Sequence, residues 1–138
     1  MTAELEMGHL ATLTHQRAIK RFIIGLDKLY EQGKTYLEAL PETDIDPGNP
    51  ESKCPDILLR DNSAVAVKMI IEIATHLGAR TDFKKLRKLI DETEYGIEEG
   101  FVYDFEQKAW MKYSKKAGVV SENPSWSDVL TFDLNTLL

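Results

Sequence analysis

Two carboxylates near the ends of a predicted hairpin constrain the fold of this chain more than any other feature. Asp56 precedes an apolar segment at 57–59, and Glu72 lies near the end of a second apolar segment at 64–73. The stretch 60–63 between them has turn-like composition, so the two segments are expected to form an antiparallel hairpin. The end of the second strand then lies beside the start of the first, where Asp56 and Glu72 can meet. Two like charges at one point share a proton or bind a divalent cation.

Length and composition indicate one globular domain over residues 1–138. The chain has 138 residues, of which 43% are hydrophobic, enough for a single modest core. No apolar run approaches the roughly 18 residues that cross a bilayer, and the acidic N-terminus lacks the apolar centre of an export signal. A single cysteine, Cys54, has no partner for an internal disulfide. We therefore expect a cytoplasmic protein without a membrane segment.

Hydrophobic periodicity predicts further helices and strands around the central hairpin. Apolar residues recur at helical spacing from His9 to Tyr30, and a second amphipathic helix is expected to begin at Thr81-Asp82. Outside the central hairpin, further strands are expected at 36–40, 100–105, 109–113 and 129–134, the last being either a strand or an extended tail. This order predicts an α/β (α+β) fold in which helices flank a mixed central β-sheet.

Several segments, taken in order, resemble the PD-(D/E)xK nuclease superfamily, and within it a family of small bacterial restriction-endonuclease-like proteins. The likeness covers most of the chain and includes the early-helix His15, Leu40-Pro41-Glu42, Pro55-Asp56 with its apolar strand, Ile70-Ile71-Glu72-Ile73, Asp82 with its lysine-bearing helix, the segment 95–104 with Trp110, and Phe132-Asp133-Leu134. The resemblance implies a restriction-endonuclease-like sheet with helices on it.

The resemblance also implies a metal-dependent active site. In that superfamily the aspartate and glutamate hold Mg²⁺, so Asp56, Glu72 and the carbonyl of Ile73 are expected to bind Mg²⁺ or Mn²⁺. The superfamily places a catalytic lysine two positions after the glutamate, where this chain has Ala74.

The missing lysine has candidates elsewhere in the chain. In the family that this chain resembles, the lysine has often moved to the following helix, which indicates Lys85 first and Lys88 next. The expected catalytic residues are thus Asp56, Glu72, Lys85 and Lys88. Lys68 points to the same strand face as Glu72 but lies about 13 Å from it along the strand.

Two functions remain open from the sequence. The first is a Mg²⁺-dependent endonuclease that hydrolyses DNA, acting as a homodimer because nucleases of this type often pair to cut two strands. The second is an inactive protein of nuclease fold that serves as a binding or oligomerisation module, since a fold does not fix a function. The net charge of −6 opposes non-specific attraction to nucleic acid, although a local basic patch can still operate.

Each candidate residue also has an ordinary structural interpretation. Asp56 suits a turn after proline, and Glu72 could form a salt bridge with Lys68 or with a helix lysine. The helix lysines could form a solvated face, and His15 and Glu42 could be surface residues. His76 follows Glu72 by four positions, which is compatible with a transition-metal site, but the histidines show no zinc spacing.

Overall fold

A single mixed β-sheet positions all of the candidate residues. The computed structural model describes residues 3–138, with side chains described from Thr12 onward, so the side chain of His9 and the acidic segment 1–6 lie outside the described side chains. The helices are α1 (Ala3–Glu31) and α2 (His76–Asp91), and a 3₁₀ turn spans Leu134–Leu137. The strands are β1 (Leu37–Pro41), β2 (Ile57–Asp61), β3 (Ala66–Ala74), β4 (Glu99–Asp104), β5 (Ala109–Ser114), β6 (Gly118–Val120), β7 (Trp126–Ser127) and β8 (Phe132–Asp133).

The main sheet has six strands in the order β1-β2-β3-β4-β5-β6. Neighbouring strands are antiparallel except β3 and β4, which are parallel because α2 carries the chain back between them. The predicted hairpin is β2–β3, with Ile57 opposite Ile71. The mixed sheet flanked by helices, as expected from the sequence, is confirmed.

The two helices cover opposite faces of the sheet. On one face, Phe22 and Leu26 of α1 pack with Ile71 and Ile73 of β3. On the other face, Phe83 and Leu86 of α2 pack with Ile70. Side chains alternate between faces along a strand, so Glu72, two positions after Ile70, faces α2. Lysines of α2 can therefore approach it.

A glycine in β4 sets how closely α2 approaches the sheet. A Cβ atom added at Gly100 would collide with the side chain of Leu86. The absence of a side chain at this position lets α2 dock tightly on β4. Lys85, the residue before Leu86, is held over the sheet as a result.

Two sequence-based expectations about element boundaries are wrong. The second helix begins at His76 rather than at Thr81-Asp82, because Thr75 caps it. The Thr75 hydroxyl oxygen accepts a hydrogen bond from the amide of Gly78 at 3.2 Å. Of the strand or tail expected at 129–134, only 132–133 is a strand, β8, which pairs with β7 and leads into the 3₁₀ turn.

A buried ion pair fastens the C-terminal segment to the sheet. The ammonium of Lys112 lies 3.1 Å from the carboxylate of Glu99, and both side chains are almost fully buried. Glu99 accepts a hydrogen bond from the hydroxyl of Ser127 at 2.7 Å, and Lys112 donates to the carbonyl of Trp126 at 2.7 Å. The pair thus joins β4, β5 and β7.

None of the described helices has the length and apolar character needed to span a bilayer.

Candidate active site

Asp56 and Glu72 meet at one end of the β2–β3 hairpin. The amide of Asp56 donates to Oε1 of Glu72 at 3.0 Å, and the amide of Ile73 donates to Oδ2 of Asp56 at 2.7 Å. Each carboxylate is therefore held by the backbone of the opposite strand. This reciprocal arrangement fixes the two side chains next to each other.

The hairpin geometry explains why this point is polar. Asp56 immediately precedes β2, so Ile73 of β3 extends past the last paired residue of β2. The amide of Ile73 would lack a partner there, and the Asp56 side chain supplies one. The N–H and C=O of one strand residue point to the same side. The carbonyl of Ile73 therefore faces the Asp56 side of β3.

The carboxyl group of Glu72 carries a proton near neutral pH. Burial, reinforced by the charges of Asp56 and Asp82, raises the pKa of Glu72 to about 8 against the opposing effects of the Asp56 amide and of Lys85. A pKa of about 8 means that Glu72 is mostly protonated at pH 7 when no cation is bound. A cation at this point would take the place of that proton.

A cleft beside the pair contains groups from α2. Its volume is about 530 Å³, and the charged side chains that line it are Glu72, Asp82, Lys85, Lys88, Lys53 and Glu92, beside the thiol of Cys54. The pKa values of Glu72 and Asp82 are both raised, and the positive charge of Lys85 opposes that rise in each case. Lys85 is therefore the lysine whose field reaches the acidic groups, and Lys88 lies on the same cleft wall.

Asp82 belongs to this cluster although sequence reasoning used it only as a marker of the second helix. Burial raises the pKa of Asp82, and the charge of Asp56 raises it further. The available signal was the spacing of Asp82 and Lys85, because residues three apart on a helix are neighbours. With α2 docked on the sheet, that spacing brings both to the cleft.

His15 of α1 and Glu42, which directly follows β1, contact the site from the other side. Nε2 of His15 lies 3.2 Å from Oδ2 of Asp56. The amide of Glu42 donates to the carbonyl of Asp56 at 3.0 Å, while its carboxylate accepts a hydrogen bond from Gln16 at 3.1 Å. His15 thus touches the Asp56 carboxylate directly, whereas the Glu42 carboxylate is bound to α1.

Two other candidate residues lie apart from the pair. Lys68 does not line the cleft that contains Glu72. His76 instead places Nδ1 2.7 Å from Oδ2 of Asp104. Among the described side chains, Glu72 forms no ion pair within 4.0 Å with Lys68 or with a lysine of α2. The structure therefore does not contain the simple salt bridge that would explain Glu72 without a ligand.

The donors at the site suit a hard cation that keeps some of its water. Within the described part of the chain, no three His, Cys, Asp or Glu side chains are arranged to hold a metal by themselves. Asp56, Glu72 and the Ile73 carbonyl offer oxygen alone, and Mg²⁺ is usually bound through one or two carboxylates with waters completing its shell. A site of this composition fits Mg²⁺ or Mn²⁺ better than zinc, which prefers nitrogen and sulfur.

Comparison with known proteins identifies the fold. No family profile and no curated protein matches the chain. Among solved structures, it is similar to a protein of Anabaena variabilis described as "a putative nuclease belonging to DUF820", with a TM-score of 0.62 and 17% sequence identity. The match covers 90% of this chain and 79% of that protein. At this identity the likeness concerns the fold, and the expected restriction-endonuclease-like fold is confirmed.

Proposed function

We propose that this protein is a nuclease that hydrolyses phosphodiester bonds in DNA with the help of Mg²⁺ or Mn²⁺. The observation that carries the proposal is the Asp56–Glu72 pair, held together by backbone amides, with Glu72 lining one cleft together with Lys85. The nuclease-like fold supports it, because the pair stands where the resemblance implies the metal ligands. Backbone amides at the end of the hairpin hold the two carboxylates side by side.

The cation would be held by Asp56, Glu72 and the carbonyl of Ile73. Oδ2 of Asp56 and Oε1 of Glu72 accept backbone amides, so we assign the other oxygen of each carboxylate to the cation. A bound divalent cation would lower the pKa of a water molecule and polarise the phosphoryl oxygen. His15, in contact with Asp56, helps to orient that carboxylate.

Lys85 takes the part that the resemblance gives to a lysine at position 74. Ala74 is 4% exposed and packs in the core beneath α2, so the strand position serves helix docking instead. Lys85 approaches the same carboxylates from α2. Its ammonium would orient the attacking water or stabilise the charge that develops on the phosphate.

We also propose that two copies of the chain act together when both DNA strands are cut. Each copy would supply one site for one strand. Sedimentation of the protein with and without a duplex substrate would measure the assembly. A monomer in both conditions, with full double-strand cleavage, would contradict it.

Metal titration combined with a nicking assay tests the proposed activity. We expect calorimetry to detect Mg²⁺ and Mn²⁺ binding to the parent, and we expect the parent to nick supercoiled plasmid. Glu72→Gln and Asp56→Asn keep the shape of the side chains and should lose both. Glu122→Gln removes one exposed carboxylate in the 121–125 loop and should change neither. Metal affinity that survives in Glu72→Gln would show that the pair is not the cation site.

Lysine variants in the same assay test the assignment of Lys85. Lys85→Met should keep metal affinity and lower nicking by about 100-fold or more, as for other losses of charge stabilisation at a reacting centre. Lys84→Met removes the same charge from a neighbouring exposed position outside the cleft, and its nicking should fall by much less. Equal losses in the two variants would exclude a specific role for Lys85 and leave general attraction to DNA.

A further inference from the structure

A row of cationic side chains runs along the exposed side of α2. His76, Arg80, Lys84 and Lys88 are spaced four residues apart, and all four are exposed. Residues four apart on a helix are surface neighbours, so they form one continuous line, here called the α2 ridge. At 1.5 Å of rise per residue the ridge is about 18 Å long, with steps of about 6 Å.

The two ends of the α2 ridge have different surroundings. At the far end, Lys88 lines the cleft that contains Glu72. At the near end, His76 places Nδ1 2.7 Å from Oδ2 of Asp104, whose side chain is 6% exposed. The other oxygen of Asp104 accepts the amides of Glu106 and Gln107, each at 3.0 Å. The ridge therefore begins at a histidine of fixed orientation and ends in the candidate active site.

Three of the four cationic side chains of the α2 ridge form no ion pair within the described protein. In the part of the chain that the structure describes, Arg80, Lys84 and Lys88 take part in no ion pair within 4.0 Å. The opposite side of α2 is apolar and buried. A line of unneutralised cations on a protein of net charge −6 gives a local field opposite in sign to the whole molecule.

We propose that the α2 ridge is the surface along which the sugar–phosphate backbone of the substrate lies, leading one strand into the cleft. This inference rests on the proposed nuclease function, and it names the surface that binds the substrate outside the reacting centre. A polyanion with regularly spaced phosphates matches a regularly spaced line of cations. Release of condensed counterions then supplies the binding free energy.

His76 contributes a contact that depends on protonation. Asp104 engages Nδ1, so Nε2 lies on the other side of a ring whose side chain is 63% exposed. Only the protonated ring can donate from both nitrogens, so His76 contacts a phosphate in its charged form. The charged groups around it are Asp104, Glu106, whose carboxylate accepts the His76 amide at 3.0 Å, and Arg80 one turn along α2. The contact is therefore lost when the ring loses its second proton.

Salt-dependent binding of labelled nucleic acid tests the α2 ridge separately from cleavage. Fluorescence anisotropy is measured for the full chain with a DNA duplex longer than the ridge and with RNA of the same sequence, in Ca²⁺ in place of Mg²⁺. Arg80→Gln and Lys84→Gln should each weaken binding and reduce the slope of log affinity against log salt by about 0.9 for duplex DNA. Lys116→Gln, an exposed lysine between β5 and β6, serves as the control and should keep the parent slope.

The pH dependence supplies a second readout. His76→Ala should weaken binding more at acidic than at alkaline pH, because only the protonated ring donates from both nitrogens, whereas Leu77→Ala, at an adjacent position that is 92% exposed, should match the parent at both. A histidine effect that is the same at both pH values would overturn the protonated contact.

The outcomes separate the ridge from the proposed activity. Reduced slopes for Arg80→Gln and Lys84→Gln in a protein that nicks no plasmid would support the ridge and reject the nuclease. Nicking by the parent with unchanged slopes in both variants would support the nuclease and overturn the ridge. An equal reduction of the salt slope in Lys116→Gln would also overturn the proposal for the ridge. So would the absence of nucleic-acid binding by the parent. The stronger of the DNA and RNA signals identifies the nucleic acid that the ridge accepts.

Discussion

At the scale of single residues, the protonation of Glu72 links the candidate site to folding stability. The folded-state pKa is about 8, against an ordinary value of 4.5. A carboxyl group with a raised pKa stabilises the folded state in its protonated form. That contribution is complete below about pH 4.5 and is lost as the pH rises through about 8.

Glu72→Gln should remove this dependence, because an amide of the same shape does not ionise. Without divalent cations, we expect the parent to lose at least about 1 kcal/mol of stability relative to the variant between about pH 5 and pH 9, since each pKa unit corresponds to about 1.4 kcal/mol. Thermal unfolding followed by circular dichroism across this range measures the difference. Glu122→Gln is the matched control, and parallel curves for parent and Glu72→Gln would refute the assignment.

At the scale of elements, the docking of α2 on β4 depends on the absence of a side chain at position 100. Gly100→Ala forces the new Cβ into Leu86, and overpacking of this kind costs about 1–3 kcal/mol. We expect urea denaturation to show that loss. The nicking rate should also fall, because Lys85 moves with the helix.

A double-mutant cycle with Leu86 separates this clash from a backbone effect. Leu86→Ala alone should cost about 2–5 kcal/mol as a cavity. In the double variant the methyl group added at position 100 enters that cavity. Gly100→Ala should therefore lower the free energy of unfolding by less in the Leu86→Ala background than in the parent. Costs that simply add would indicate that Gly100 is needed for another reason.

The β2–β3 hairpin and α2 show which parts of the fold could be predicted from the sequence. The hairpin could be predicted, because turn composition and apolar segments are local signals, and the meeting of Asp56 with Glu72 follows from the hairpin alone. The start of α2 could not, because Gly78 lowers helix propensity in the first turn and the cap at Thr75 has no glutamate partner three residues later.

The parts of the site that come from other elements were only partly foreseen. Lys85 is the first candidate that the resemblance indicates on the second helix, and it lines the cleft together with Glu72. The position of Asp82 in the cleft depends on how closely Leu86 approaches Gly100, which no periodicity reveals. The 3.2 Å contact of His15 with Asp56 similarly depends on packing between residues that are far apart in the chain. Long-range packing, rather than local propensity, determines these contacts.

At the scale of the whole molecule, the buried pair of Glu99 and Lys112 holds the C-terminal segment on the sheet. Lys112→Met would leave the carboxylate of Glu99 buried without its cation, which costs about 3–5 kcal/mol. We expect equilibrium unfolding in urea to show this loss, and hydrogen exchange to increase in residues 126–129.

Replacement of both partners provides the control for this prediction. Glu99→Gln combined with Lys112→Met removes both charges, and it should recover part of the stability that Lys112→Met loses. A single variant as stable as the parent would mean that the pair does not secure the segment.

The position of Lys85 on α2 has a consequence for the temperature range of activity. A lysine in β3 would stay aligned with Glu72 as long as the sheet is intact. In this protein the proposed ammonium and the carboxylates belong to separately ordered units, joined by side-chain packing that can open before the sheet unfolds. On heating, turnover would then cease while the carboxylates still bind the cation. Activity would be lost at a lower temperature than cation binding.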